Sequence, residues 1–215
     1  MSPEAVAADI RAEIAALPRR DTPSIRALRM RRSQAMRDAS AGEVLAVARA
    51  LEQASPQEAK WAAYELVRFH KPAFSAAGEA EAADFASRAQ SWYAVDALGT
   101  ILTGPLWAKG RLPERLVDGW ARSDDRWLRR SALVATVGRN STKPDPQGTL
   151  DLCLRLAGDR DDMVEKAVSW ALRYLSQKDR AAVDAFMAEH ADRFAARVRR
   201  EVRNKLRTGL KSGRR

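Results

Sequence analysis

Ser91-Trp92-Tyr93-Ala94-Val95-Asp96-Ala97-Leu98-Gly99-Thr100-Ile101-Leu102 decides how this chain is read. On a helix, residues four apart lie one above the other, so Trp92 and Asp96 share a face, an indole beside a carboxylate. The flanking positions are apolar. A core helix favours Leu or Ala at position 96, because an unpaired buried carboxylate is costly. Asp96 therefore calls for a partner or a function.

Outward from this stretch the helical period persists. Ser2-Pro3-Glu4 begins a helix running to about Leu17, and Thr22-Pro23-Ser24 begins a second through Leu28 and Met36, closed near Gly42. A third covers Gly42 to about Gln53, and Ser55-Pro56-Gln57-Glu58 caps a fourth through Trp61, Tyr64 and Val67. A shorter one spans Glu79 to Ala89. The opening helix runs from Ser91 to about Thr103, where Gly104-Pro105 breaks it. Leu112-Pro113-Glu114 begins the next, through Trp120. Ser123-Asp124-Asp125 caps another from Arg126 to about Val137, with Gly138 and Asn140 beyond its end. Asn140 to Gly148 reads as the clearest loop. Helices over Thr149–Ala157, Asp162–Ser176, Arg180–His190 and Ala191 to about Leu210 complete the chain, and 211–215 read as a frayed tail. No segment of strand length alternates with β-branched residues.

The helices pair, and the pairs repeat. Trp61, Trp92 and Trp127 fall near the start of successive second helices, 31 and 35 residues apart, and Trp170 sits further along a fourth. A two-helix period of this size marks a helical solenoid, in which each pair buries its apolar face on the next. The expected fold is all-α, a HEAT-like solenoid forming one domain over residues 1–215, with second helices lining a concave basic face.

Composition narrows the function. The 215 residues are 46% apolar, enough for a folded core, and Lys+Arg 38 against Asp+Glu 28 gives a net charge of +10. That excess points to polyanions, nucleic acid or a membrane surface. No run of about 18 uncharged apolar residues is present to span a bilayer, and the amino terminus is amphipathic rather than a signal peptide. One cysteine, Cys153, excludes an internal disulfide and fits a reducing cytosol, where it reads as a small buried hydrophobe. With two histidines, His70 and His190, neither metal nor cofactor is expected.

Three clusters occupy equivalent places in successive repeats. Beside Trp92 and Asp96 stand Arg126 and Arg130, four apart on one face. The third is Lys166, Trp170 and Arg173, a stripe of cation, indole and cation. Side by side they form a cleft suited to a phosphate backbone, with Asp96 as its one anion. Each has a structural alternative. The tryptophans serve as packing residues between repeats, the arginines pair with nearby aspartates, and Asp96 is an inter-repeat ion-pair partner of Arg130.

These motifs resemble the AlkD-like DNA alkylation repair enzymes: Ser91 to Asp96 followed by Gly104-Pro105-Leu106, then Trp120 with Ser123 to Ala132, then Glu165 to Arg173, and Arg199-Arg200-Glu201-Val202 near the end. The resemblance covers about Trp61 to the carboxyl terminus. It implies a HEAT-like fold and a monofunctional DNA glycosylase that releases cationic N3- and N7-alkylated purines from double-stranded DNA; separately, the chain is expected to be a cytoplasmic monomer. It further implies that Asp96 is catalytic, that Trp92 and Trp170 border the lesion nucleotide, that Arg130 holds backbone phosphate, and that Arg173 is a further lining residue. It also implies a nucleotide left largely stacked rather than flipped.

The residues suit that chemistry. An alkylated purine leaves as a neutral base, so no general acid is required; a fixed anion beside the developing oxocarbenium sugar, able to orient water, is. Indole faces favour a cationic base. One departure stands out: family members often carry a Tyr-containing aromatic motif near the amino terminus, whereas residues 22–32 here hold no aromatic and instead offer Arg26, Arg29, Arg31 and Arg32 to phosphates.

Overall fold

Helix starts in this chain are fixed by short polar side chains that accept the otherwise orphaned first-turn amides. In the computed structural model, which describes residues 1–53 and 57–212, Ser2 caps α1 (Pro3–Ala15) and Asp21 caps α2 (Thr22–Ala35). Ser40 and Glu43 form a capping box at α3 (Ala41–Glu52). Next come α4 (Gln57–Phe69), α5 (Lys71–Ala76), α6 (Glu79–Arg88) and α7 (Trp92–Ala97). A π-helical turn over Leu98–Thr103 leads into α8 (Gly104–Ala108), and α9 (Glu114–Ala121), α10 (Arg126–Thr142) and α11 (Pro146–Arg155) follow. The chain ends with α12 (Asp162–Leu175), α13 (Arg180–His190), a single 3-10 turn and α14 (Ala196–Thr208). The expected Ser55-Pro56 cap and the last three residues of the tail lie outside the described residues.

The fold is an all-α helical repeat. One layer holds α1, α3, α5 with α6, α9, α11 and α13. The other holds α2, α4, the α7–α8 rod, α10, α12 and α14, each packed on the next. Between them lies a continuous core that includes Leu28, Tyr64, Phe85, Leu102 and Leu133.

Five sequence expectations change. Gly104-Pro105 does not end a helix. A proline ring clashes with the carbonyl four residues back in an α-helix, but here the wider π turn intervenes, with the Gly104 N–H bonded to the Gly99 carbonyl five residues back. The rod therefore runs unbroken from Trp92 to Ala108. Gly138 and Asn140 do not lie beyond the end of α10, which continues to Thr142. The supposed loop shrinks to residues 143–145, because buried Asn140 donates to Thr149 Oγ1 at 2.8 Å and accepts the Asp145 amide at 2.7 Å. The last segment is not one helix, since Phe194 breaks it by turning into the core against Phe186, ring centroids 5.7 Å apart. Finally, α5 forms where no helix was expected, capped by the His70 ring.

Glycine sets how closely the rod approaches α10. A Cβ at Gly138 would lie 2.2 Å from the Gly99 carbonyl oxygen, and one at Gly104 would lie 2.5 Å from the Gly138 Cα. Backbone therefore meets backbone across this crossing.

Candidate functional site

The crossing of the rod on α10 places Asp96 opposite Arg130. Ser91 caps α7 by accepting the Ala94 amide at 3.2 Å, which puts Trp92 in the first turn and Asp96 one turn further along. The Arg130 guanidinium grips the carboxylate as a fork, with Nε to Oδ1 and Nη2 to Oδ2 both at 2.9 Å. Its remaining nitrogen, Nη1, donates to the Met163 carbonyl in the first turn of α12. Three successive second helices are thus joined at one guanidinium. The Arg130 side chain is 6% exposed, while that of Asp96 keeps 23% open to solvent.

Burial pushes the Asp96 carboxyl above the ordinary aspartate range, and the Arg130 charge and its hydrogen bonds pull it partly back. The site thus holds an anion that is both desolvated and oriented. Such a carboxylate interacts strongly with any positive charge placed at its open edge, because little water screens it.

The other candidates surround this pair without being fused to it. Trp92 is 57% exposed on a helix that buries Ala94, Val95 and Ala97, and its ring meets Tyr93 edge-on at 6.0 Å. Arg126 lies over the Trp127 ring at 5.0 Å and reaches Asp161 at 3.5 Å. On α12, Lys166 pairs with Asp162 at 2.6 Å. Half-buried Trp170 packs against the core two turns beyond the Met163 carbonyl. Arg173 sits deeper still, with Nε donating to Ser169 Oγ at 3.2 Å and standing 3.7 Å from Glu201; burial draws its pKa below the usual guanidinium range. The structure therefore brings Asp96 and Arg130 together and sets the two indoles on helices either side of α10.

Asp96 is not the one anion of this face. Asp161, Asp162 and Glu201 stand among the cations, and Asp162 also binds Arg197 of α14. A fourth carboxylate repeats the Asp96 pattern one unit earlier: Trp61 and Glu65 are four apart on α4, and Glu65 is held by Arg29 at 2.7 Å and Arg26 at 3.5 Å. The two sites differ in access, for Glu65 is 3% exposed and Trp61 is buried with Arg26 stacked over it. The shared spacing of Trp and acid was visible in the sequence; only burial separates the open copy from the closed one. Of the amino-terminal arginines, Arg29 is buried, Arg26 faces Glu65, and Arg31 and Arg32 pair with Glu13.

Cys153 is wholly buried, and burial raises its thiol far above the usual range. Among the described residues no group of three or more His, Cys, Asp or Glu side chains is arranged to hold a metal ion, and no helix is long and apolar enough to cross a membrane.

Comparison with known proteins agrees with this architecture. A solved structure described as a predicted DNA alkylation repair enzyme from Enterococcus faecalis superposes with a TM-score of 0.71, covering 97% of this chain and 98% of that one at 18% sequence identity. That likeness establishes the fold. A comparison with curated proteins found no match. The sequence model of the DNA alkylation repair enzyme family matches residues 21–206, which take in the whole of the site, and the chain belongs to that family.

Proposed function

We propose that this protein is a monofunctional DNA glycosylase that hydrolyses the N-glycosidic bond of cationic N3- and N7-alkylated purines in duplex DNA, with Asp96 as the catalytic carboxylate. The observation that carries this reading is a partly desolvated anion kept open at one edge beside an exposed indole, on a chain with a net charge of +10. A protein that only gripped phosphates would gain nothing from such an anion. An oxocarbenium-like sugar, formed as the neutral base departs, is stabilised by it, and the free edge of the carboxylate can orient the attacking water. Trp92 and Trp170 border the lesion nucleotide, their faces attracting a cationic base.

Arg130 takes a role suited to its setting. All three of its nitrogens are engaged within the protein, so we assign it to positioning Asp96 rather than to holding a phosphate. Lys166 and Arg126, each about half exposed, are the better placed for phosphates, and Arg173 supports the α12 face through Ser169 and Glu201. The proposed partner is double-stranded DNA, contacted by a cytoplasmic monomer without metal or cofactor.

The test is release of 7-methylguanine from methylated duplex DNA. Asp96→Asn keeps a side chain that Arg130 can still hydrogen-bond, so duplex affinity should stay within about twofold while release falls by about 100-fold or more. Unchanged release by the variant would sink the assignment. One observation favours a second reading, a non-catalytic module that binds damaged or branched DNA: both Asp96 oxygens already accept from Arg130, as in a purely structural ion pair. That reading predicts salt-sensitive DNA binding and no base release from any alkylated substrate.

A further inference from the structure

Away from Asp96, the carboxyl-terminal half of α2 and the junction of α4 with α5 enclose a pocket of about 380 Å3 lined in part by Met30, Ser33, Arg37, Phe69, His70 and Lys71. Two buried polar atoms in its wall, Ser33 Oγ and His70 Nε2, have no hydrogen-bond partner among the described residues. The His70 ring is 8% exposed, and its Nδ1 accepts the Ala73 amide at 3.2 Å, so the ring proton sits on Nε2 and makes that nitrogen a donor. Buried donors without acceptors are costly and rare, and they mark a place where a partner group fits.

The surroundings define that group. Among the described residues no carboxylate lines the pocket; of its lining cations Arg29 is matched by Glu65 and Arg37 by Asp38 at 3.0 Å, which leaves Lys71 with no carboxylate within ion-pair distance. Two unpartnered polar atoms beside an unmatched lysine call for an anion. At the mouth stand Phe69, 58% exposed, and Met30, 57% exposed, two of the few large apolar side chains left in water among the described residues. An aromatic ring and a thioether beside an anion-binding wall match a planar base attached to a phosphate.

We propose that this pocket binds a nucleoside phosphate, with the base against Phe69 and Met30 and the phosphate at Ser33, His70 and Lys71. The ligand is either a free nucleotide or one unit of a DNA strand. The geometry admits the second source. Glu65 occupies on α4 the register that Asp96 occupies on the next second helix, and Phe69 lies one turn beyond Glu65. One helix spacing of about 9 Å and one turn of about 5 Å separate the two sites, a few nucleotides along a strand.

Calorimetric titration of the full-length chain with dAMP, inorganic phosphate and a short single-stranded oligo(dA) tests this. Saturable dAMP binding is expected, at least about tenfold tighter than phosphate alone, with Phe69→Ala and Ser33→Ala each weakening it by about fivefold or more. Both positions lie at the surface of the pocket, and unchanged melting curves will show that the variants fold. Asp96→Asn should bind dAMP as the wild type does, so the result stands apart from the glycosylase reading. An oligonucleotide that displaces dAMP at lower concentration than dAMP itself identifies a strand as the ligand, and the reverse order identifies a free nucleotide. Absence of saturable dAMP binding, equal affinity for inorganic phosphate, or indifference to both substitutions overturns the proposal.

Discussion

At the scale of single residues, the proposed role asks one aspartate to be both tied down and reactive. A buried ion pair is weak evidence of stability, because desolvation offsets much of the Coulombic gain. Here the folded-state pKa of Asp96 is raised, with desolvation outweighing Arg130. The sign follows: the folded chain binds that proton more readily than the unfolded one, so Asp96 favours folding below its unfolded pKa, and that contribution is lost as pH rises through the folded value. Ionising the site at neutral pH therefore costs stability, which is the expected mark of a carboxylate held for chemistry. Single-turnover base release should lose rate on the acid side at a pH above the ordinary aspartate range. Arg130→Gln removes the charge that lowers the Asp96 pKa, so its acid limb should move further up; a limb that stays in place would separate Arg130 from the ionisation of Asp96. Trp92 gives a complementary test. With 57% of its surface in water, Trp92→Ala should change stability by no more than about 0.5 kcal/mol. Its release rate, in contrast, should fall at least about fivefold through loss of the cation-π face. A melting temperature that drops with the rate would point to packing instead.

Among the elements, the α7–α8 rod and α10 carry the site. Their backbones touch at Gly138 and Gly104, and this approach puts Asp96 within reach of an arginine 34 residues later. Gly138→Ala drives a methyl group into the Gly99 carbonyl, so the helices must separate. Thermal or denaturant unfolding should show a loss of about 2–3 kcal/mol, with base release reduced through the strained Asp96–Arg130 fork. Wild-type stability in this variant would mean that the crossing is looser than drawn. The same glycine marks where the sequence was readable and where it was not. The repeat of paired helices was legible, because caps such as Ser2, Ser91 and Asp125 and the helical period are local signals. Asp96 opposite Arg130 was also among the pairings open from sequence, through the one-repeat spacing. Gly138 and Gly104-Pro105 misled because by local rules they end helices, whereas their purpose lies in a neighbour some 30 residues distant in the chain. The Trp61–Glu65 spacing was legible too, but that this copy of the site is closed was not, because its burial depends on Arg29 and Arg26 of the preceding repeat.

For the whole molecule, charge is organised by the repeat. Contacts about one unit apart in sequence join successive second helices: Arg29 to Glu65, Asp96 to Arg130, Arg126 to Asp161 and Asp162 to Arg197. These pairs neutralise much of the inter-helix face, so the net charge of +10 must be displayed elsewhere. A concentrated share lies on α14, where Arg199, Arg203 and Arg207 line adjoining grooves and, among the described residues, have no carboxylate within ion-pair distance. Val198, Val202 and Leu206 bury the opposite flank of that helix, so the three guanidiniums can be replaced without touching the core. If the protein tracks duplex DNA across its last repeat, each cation that meets a phosphate releases counterions and adds about 0.9 to the slope of log affinity against log salt. Replacing Arg199, Arg203 and Arg207 together by Gln should therefore lower that slope by up to about 3, measured by fluorescence anisotropy on an undamaged duplex. Single-turnover release at saturating enzyme should be unaffected, since Asp96 lies three second helices away from α14. A slope that does not change would confine the DNA to the face around Asp96 and exclude the α14 arginines from phosphate contact.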